Sequence, residues 1–80
     1  MALLKRFKPG SIFLHREEGC YWKGRCGTNE IIIIQPNDVL LFIEYDPLLR
    51  ENLVCYSIVQ QEFVSIFWND DNVEVLHDVE

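Results

Sequence analysis

The chain has 80 residues, 49% of them hydrophobic and ten of them aromatic, with a formal net charge of −6. That length makes one small domain with a thin core, and it excludes a core plus a deep substrate cavity of about 300 Å³ or more, leaving a groove or a flat face as the working surface. The acidity disfavours contact with nucleic-acid phosphates and favours a partner with a basic surface.

The predicted elements are short and bounded by turn residues. Lys5 to Gly10 is a basic lead-in closed by the turn pair Pro9-Gly10. Ser11 to His15 reads as a short strand. Arg16 to Asn29 carries three glycines and no sustained period, so it reads as a long loop with a short strand at Cys20-Tyr21-Trp22. Glu30 to Gln35 is an apolar strand, and Pro36-Asn37-Asp38 turns the chain, since Pro36 has no amide hydrogen for a central ladder. Val39 to Tyr45, rich in β-branched and aromatic residues, is the strongest strand. Asp46 to Asn52 is a polar connection with a single helical turn over Pro47 to Arg50.

Leu53 to Val59 is a strand, Gln60 to Glu62 a tight break, and Phe63 to Trp68 a strand. Asn69 to Asn72 is a turn, and Val73 to Val79 is the last strand. In that last strand Val73, Val75, His77 and Val79 share one face, and Glu74, Leu76 and Asp78 the other. Phe63 to Trp68 carries bulk on both faces, which predicts an exposed apolar patch. The expected fold is all-β, a small five- to six-stranded antiparallel barrel spanning residues 1–80, because closing the sheet removes its edges.

Several segments resemble steps of SH3-like barrels. Phe7-Lys8-Pro9-Gly10-Ser11-Ile12 is similar to their opening strand, where a Pro-Gly turn precedes an apolar pair. Gln35-Pro36-Asn37-Asp38-Val39-Leu40-Leu41-Phe42 is similar to their polar turn followed by an apolar strand, and Phe63 to Leu76 resembles their last hairpin. The resemblance covers most of the chain at the level of pattern. It implies an adaptor module, of the kind found as small stand-alone bacteriophage proteins. The acidic Ala-Leu-Tyr-Asp-Tyr-type motif of the polyproline-binding members is missing, which argues against polyproline recognition.

Charge divides the chain. Residues 1–28 hold six basic groups and two acids, and residues 29–80 hold one basic group and eleven acids. The opening Met1 to Arg6 is too short an apolar segment for a signal peptide, and no stretch nears the roughly 20 apolar residues of a membrane span. The three cysteines, an odd set, fit reduced thiols and a cytoplasmic location.

Candidate sites follow from side-chain chemistry. Neither His15 nor His77, nor any of Ser11, Thr28, Ser57 and Ser65, sits in a nucleophile elbow, phosphate loop or carboxylate pair, so an enzyme is not expected. Ser57 and Ser65 read as outward-facing strand residues. Cys20, Cys26, Cys55 and His15 form the alternative metal set, although the Cys20–Cys26 spacing misses the close pairing that zinc favours. No cofactor is expected.

The loop from Glu17 to Gly27 places Tyr21, Trp22 and Arg25 together, residue types enriched where proteins grip proteins. In the alternative, Trp22 folds back to cap the barrel. Acids at Asp46, Glu51, Glu62, Asp70, Asp71, Glu74, Asp78 and Glu80 would steer a basic partner, or imitate DNA phosphates. The function expected is a non-enzymatic interaction module, an inhibitor or adaptor that occludes another protein through Tyr21, Trp22 and Arg25 with Asp70 and Asp71 as guides. The alternatives are a nucleic-acid barrel using Lys5, Arg6, Lys8, Lys23 and Arg25, or a structural subunit that self-associates through an apolar face.

Overall fold

The computed structural model of the chain describes residues 6–69 and 71–79. It is all-β, with β1 (Ile12–His15), β2 (Gly19–Lys23), β3 (Ile31–Ile34), β4 (Val39–Tyr45), β5 (Asn52–Ser57), β6 (Glu62–Phe67) and β7 (Val73–His77). All seven join one antiparallel sheet in the order β3-β2-β6-β5-β4-β1-β7. The sheet does not close, since β3 and β7 end the order without pairing to each other. The expected closed barrel of five or six strands is therefore corrected to an open, seven-stranded sheet. The short strand expected at Cys20-Tyr21-Trp22 is β2, which takes five residues of the glycine-rich loop and pairs with both β3 and β6.

Turn chemistry sets the register. Gln35 to Asp38 is a β-turn closed by the Asp38 N–H donating to the Gln35 carbonyl at 3.3 Å. Pro36 occupies the position that suits its fixed φ, and Asn37 takes the left-handed conformation at φ 71°. Asp38, 1% exposed, accepts from Ser57 Oγ at 2.6 Å and from the Val59 N–H at 3.3 Å, tying this turn to the end of β5. Ser57 and Ser65 are both fully buried and bonded to carboxylates, not outward-facing as expected.

The helical turn expected over Pro47 to Arg50 does not form. Asp46 Oδ1 instead accepts from the Leu48 N–H at 2.9 Å, an Asx-turn that competes with helix. Between β5 and β6, Gln61 is held at φ 56°, a conformation that costs a side-chain-bearing residue about 1 kcal/mol or more. Gln61→Gly should therefore raise the thermal midpoint by a few degrees, since about 0.5 kcal/mol remains after the unfolded-state entropy of glycine is counted. A melting curve checks this, and Gln61→Val should shift the midpoint the other way.

The inner face of the sheet forms the core. Ile32, Ile34, Leu40, Phe42, Leu53, Cys55, Val64 and Ile66 pack there around Phe13. Register irregularities in β1 between Ile12 and Phe13 and in β4 between Phe42 and Glu44 add the local twist that rolls the sheet over this core. One end is closed by aromatic edges, with Phe7 against Phe13 at 4.9 Å and Trp68 against Phe7 at 4.8 Å and Phe13 at 5.3 Å. The ring that caps the core is thus Trp68, and Trp22 lies elsewhere.

Candidate functional site

A buried carboxylate organises the opposite, outer face. Asp46, fully buried, follows β4 and accepts from Ser65 Oγ at 2.7 Å, from the Cys26 N–H at 2.7 Å and from the Leu48 N–H. Burial pushes its carboxyl up. The bonds from Ser65 and from the backbone of Cys26, Leu48 and Leu49 outweigh that and hold it below the ordinary value of 3.8. One side chain thereby fastens two connections, residues 24–29 and residues 46–51, to the outer surface of β6.

Beside that anchor lies an open groove of about 530 Å³. Register places its walls. Trp22 pairs with both Ile31 and Ser65, and Phe67 pairs with Asn52, so strand alternation turns Cys20, Trp22, Ile31, Ser65, Phe67 and Asn52 to one side. Leu49 from the β4–β5 connection completes the lining. Trp22 is 38% exposed, Ile31 67% and Phe67 48%.

At its base Asn52 Nδ2 donates to Ser65 Oγ at 3.0 Å. Ser65 gives its single hydrogen to Asp46, so the amide orientation of Asn52 is determined and its Oδ1 is left without a partner. Among the described residues, no His, Asp, Glu, Lys or Arg lines the groove. Such a surface can bind by shedding water from apolar side chains, and it offers no acid–base pair.

The expected site residues separate by face. Tyr21 borders the groove, but its hydroxyl is turned inward, 2.7 Å from His15 Nε2 and accepting from Asn72 Nδ2 at 3.1 Å. Burial raises the Tyr21 phenol above its ordinary value. A Cβ on Gly19 would come within 2.6 Å of the Tyr21 ring, so Gly19→Ala should displace that ring and lower stability by about 1–3 kcal/mol, as overpacking does. Denaturant titration measures the loss.

Arg25 sits outside the groove, its Nη2 3.1 Å from Glu44 Oε2, beside a second depression lined by Gly24, Ile43, Val54 and Phe63. Asp71 lies in the β6–β7 turn and donates its N–H to Asn69 Oδ1. Asp70, like Lys5 and Glu80, falls outside the described residues.

The metal alternative is not assembled. Cys55 lies on the inner face, fully buried, and burial pushes its thiol far up, while Cys20 is exposed on the outer face. All three thiols are free, His15 Nε2 is bonded to Tyr21, and among the described residues no three of His, Cys, Asp and Glu are grouped to hold an ion.

The basic series is largely engaged. Lys23 Nζ is 3.2 Å from Glu62 and 3.4 Å from Glu30, and the Arg6 guanidinium stacks 4.0 Å over the Tyr45 ring. Of the acidic series, Asp46 is buried in its bonds to Ser65 and Cys26, and Glu74 pairs with Arg16 at 3.3 Å.

Sequence reasoning had not brought Asn52, Ser65, Phe67, Ile31 and Leu49 to this site. The signal for Phe67 was present in the bulk on both faces of its strand. Nothing local marks Asn52 or Ser65, whose roles depend on Asp46. No protein-family model matches the chain, and comparison with curated proteins and with solved structures found no detectable relative. Among the described residues no helix is long and apolar enough to cross a membrane.

Proposed function

We propose that the chain is a non-enzymatic protein-interaction module that works from the outer face of its sheet, an open variant of the SH3-like class. The observation that supports this most is the groove itself: an aromatic and aliphatic surface presented on rigid strands, with no titratable acid–base pair inside it. Monomeric proteins seldom leave such a surface uncovered unless it binds something. The module acts in the cytoplasm as a small inhibitor or adaptor, by covering the functional surface of another protein. Trp22 is its anchor, and Tyr21 is the strut beneath. The net charge of −6 speeds encounter with a basic partner, with Asp71 at the β6–β7 turn contributing to that steering.

The test is capture from a lysate of the source cells on immobilised protein. Trp22→Ala should weaken retention of the dominant partner about thirtyfold, the loss of a central aromatic anchor of roughly 2 kcal/mol. Asp71→Asn should slow association slightly at low salt and leave dissociation unchanged. Retention indifferent to Trp22→Ala would remove the groove from the account. The nucleic-acid reading has less support, because Lys23 and Arg25 already hold ion pairs.

A further inference from the structure

We infer that the surface around the groove stacks against the same surface of a second copy of this chain, so that the protein is a two-fold dimer at moderate concentration. This rests on the reading above that the outer face binds protein, and it names the first occupant of that face. Six side chains carry the argument: Trp22, Ile31, Ile33, Leu48, Leu49 and Phe67, which are 38%, 67%, 45%, 74%, 37% and 48% exposed. Together they leave on the order of 600 Å² of mostly apolar surface in water, at the top of the range for the largest patch on a monomer. Two such patches bury on the order of 1,200 Å², the lower bound for a stable specific interface.

The patch itself is uncharged, which suits a partner face of the same apolar kind. None of the six side chains is ionisable, so a basic partner drawn by the net charge finds no ionic anchor among them. Next to the patch, Lys23 is paired with Glu30 and Glu62 and Arg25 with Glu44 within one copy, so stacking leaves neither of these cations unpaired. An isologous contact asks only that the patch fit itself. Here each copy offers both an open groove and, in Leu48, a projecting side chain next to the groove-lining Leu49.

The contact is face to face and not edge to edge. The Lys23 N–H bonds the Glu30 carbonyl, so the alternation of the antiparallel ladder turns the amide groups of Ile31 and Ile33 away from β2. That edge would be open for strand pairing, but the Gln60 side chain donates its Nε2–H to the Ile33 carbonyl and obstructs it. Stacked sheets about 10 Å apart leave that cap in place.

Sedimentation equilibrium from roughly 5 to 500 µM tests this, a span that brackets dissociation constants expected of a minimal interface. The mass should rise from 9.5 kDa towards twice that value. Salt should strengthen the association, because two copies of net charge −6 repel and screening relieves it. Ile31→Lys and, independently, Phe67→Glu should each weaken dimerisation at least about tenfold by placing charge in the contact, with circular dichroism confirming the fold.

A mass of 9.5 kDa at every concentration overturns the inference, as does a dimer indifferent to both substitutions. A monomer whose Ile31→Lys variant still loses capture of a different protein would overturn only this inference and leave the interaction reading standing. A monomer whose variants change nothing in either assay would sink both.

Discussion

Asp46→Ala is expected to destabilise the protein by about 3 kcal/mol, the usual cost of breaking a buried hydrogen-bonded network around a charge. For a chain of this size that lowers the thermal midpoint by roughly 10–20 °C. The reason is the number of donors that converge on one carboxylate: Ser65 Oγ, the Cys26 N–H and the Leu48 N–H, with no solvent exposure to replace them. Removing it leaves those donors unpaired and detaches two connections from β6. Ser65→Ala should cost less, about 1–2 kcal/mol, because Asp46 keeps its backbone donors. The double variant should fall well short of the sum, since both changes remove the same bond. Amide exchange should accelerate at Cys26 and Leu48 in Asp46→Ala and stay slow at Cys55, whose strand lies in the core. An Asp46→Ala variant as stable as the parent chain would mean that the two connections are held by something else.

Acid is expected to weaken the fold in two stages, through His15 and then Asp46. Burial lowers the proton affinity of His15, and the Glu17 backbone and the charges of Asp38 and Glu17 offset only part of that, so its folded value lies below 6.5. As pH falls below 6.5 the unfolded chain takes up a proton that the folded chain refuses. Stability is therefore complete above that pH and declines until the folded value is reached, at no more than about 1.4 kcal/mol per pH unit for one group.

Asp46 has the same sign at lower pH. Its folded value lies below 3.8, so its contribution is complete above 3.8 and is lost as pH falls through the depressed value. Structure says what protonation of His15 does. The Tyr21 hydroxyl, which receives the Asn72 amide hydrogen, lies 2.7 Å from His15 Nε2; a neutral ring with Nε2 unprotonated accepts the Tyr21 hydrogen there, and an imidazolium with hydrogens on both nitrogens cannot. His15→Leu should cost about 1–3 kcal/mol at pH 7, for a lost buried hydrogen bond, and should then be flat between pH 7 and 5 where the parent declines. Urea midpoints measured across that interval decide it. Equal slopes in the two proteins would show that His15 is not the titrating group.

How far the fold can be read from the sequence depends on whether a residue's neighbours along the chain set its fate. Val39–Tyr45 is legible to the residue, because apolar side chains, several of them β-branched or aromatic, fill six of its seven positions between the Pro36-Asn37-Asp38 turn and Asp46. The exposed apolar side of Phe63 and Phe67 is legible from the bulk on both faces of their strand. The expected hairpin over Phe63 to Leu76 does not form, since β7 crosses to pair with β1 while β6 lies between β2 and β5. The openness of the sheet is not, because whether β3 meets β7 is decided by tilt and by irregularities at Ile12 and Ile43, which no local pattern announces.

In the site, Trp22 could be found by type, while Tyr21 beside it could not be assigned a face until the pairing of β2 with β3 and β6 was known. Asp46 misled most. An acid opening a polar connection reads as a solvated turn residue, and only the fold brings Ser65 and Cys26 to it across 19 and 20 residues of sequence. The cysteines show the same limit, since Cys20 and Cys55 lie on opposite sides of one sheet and no spacing rule reports that.

The central claim is that this sheet has one sealed face and one open, working face, and its cysteines report on both. Timed labelling of the native protein with a maleimide, read by mass spectrometry of the peptides, tests it directly. Cys20, exposed beside Trp22, should react within minutes, and more slowly as protein concentration rises and the outer face becomes covered. Cys55, fully buried with its thiol pushed up, should react only at the rate of unfolding. Labelling of Cys55 as fast as Cys20 in the folded protein would contradict the account.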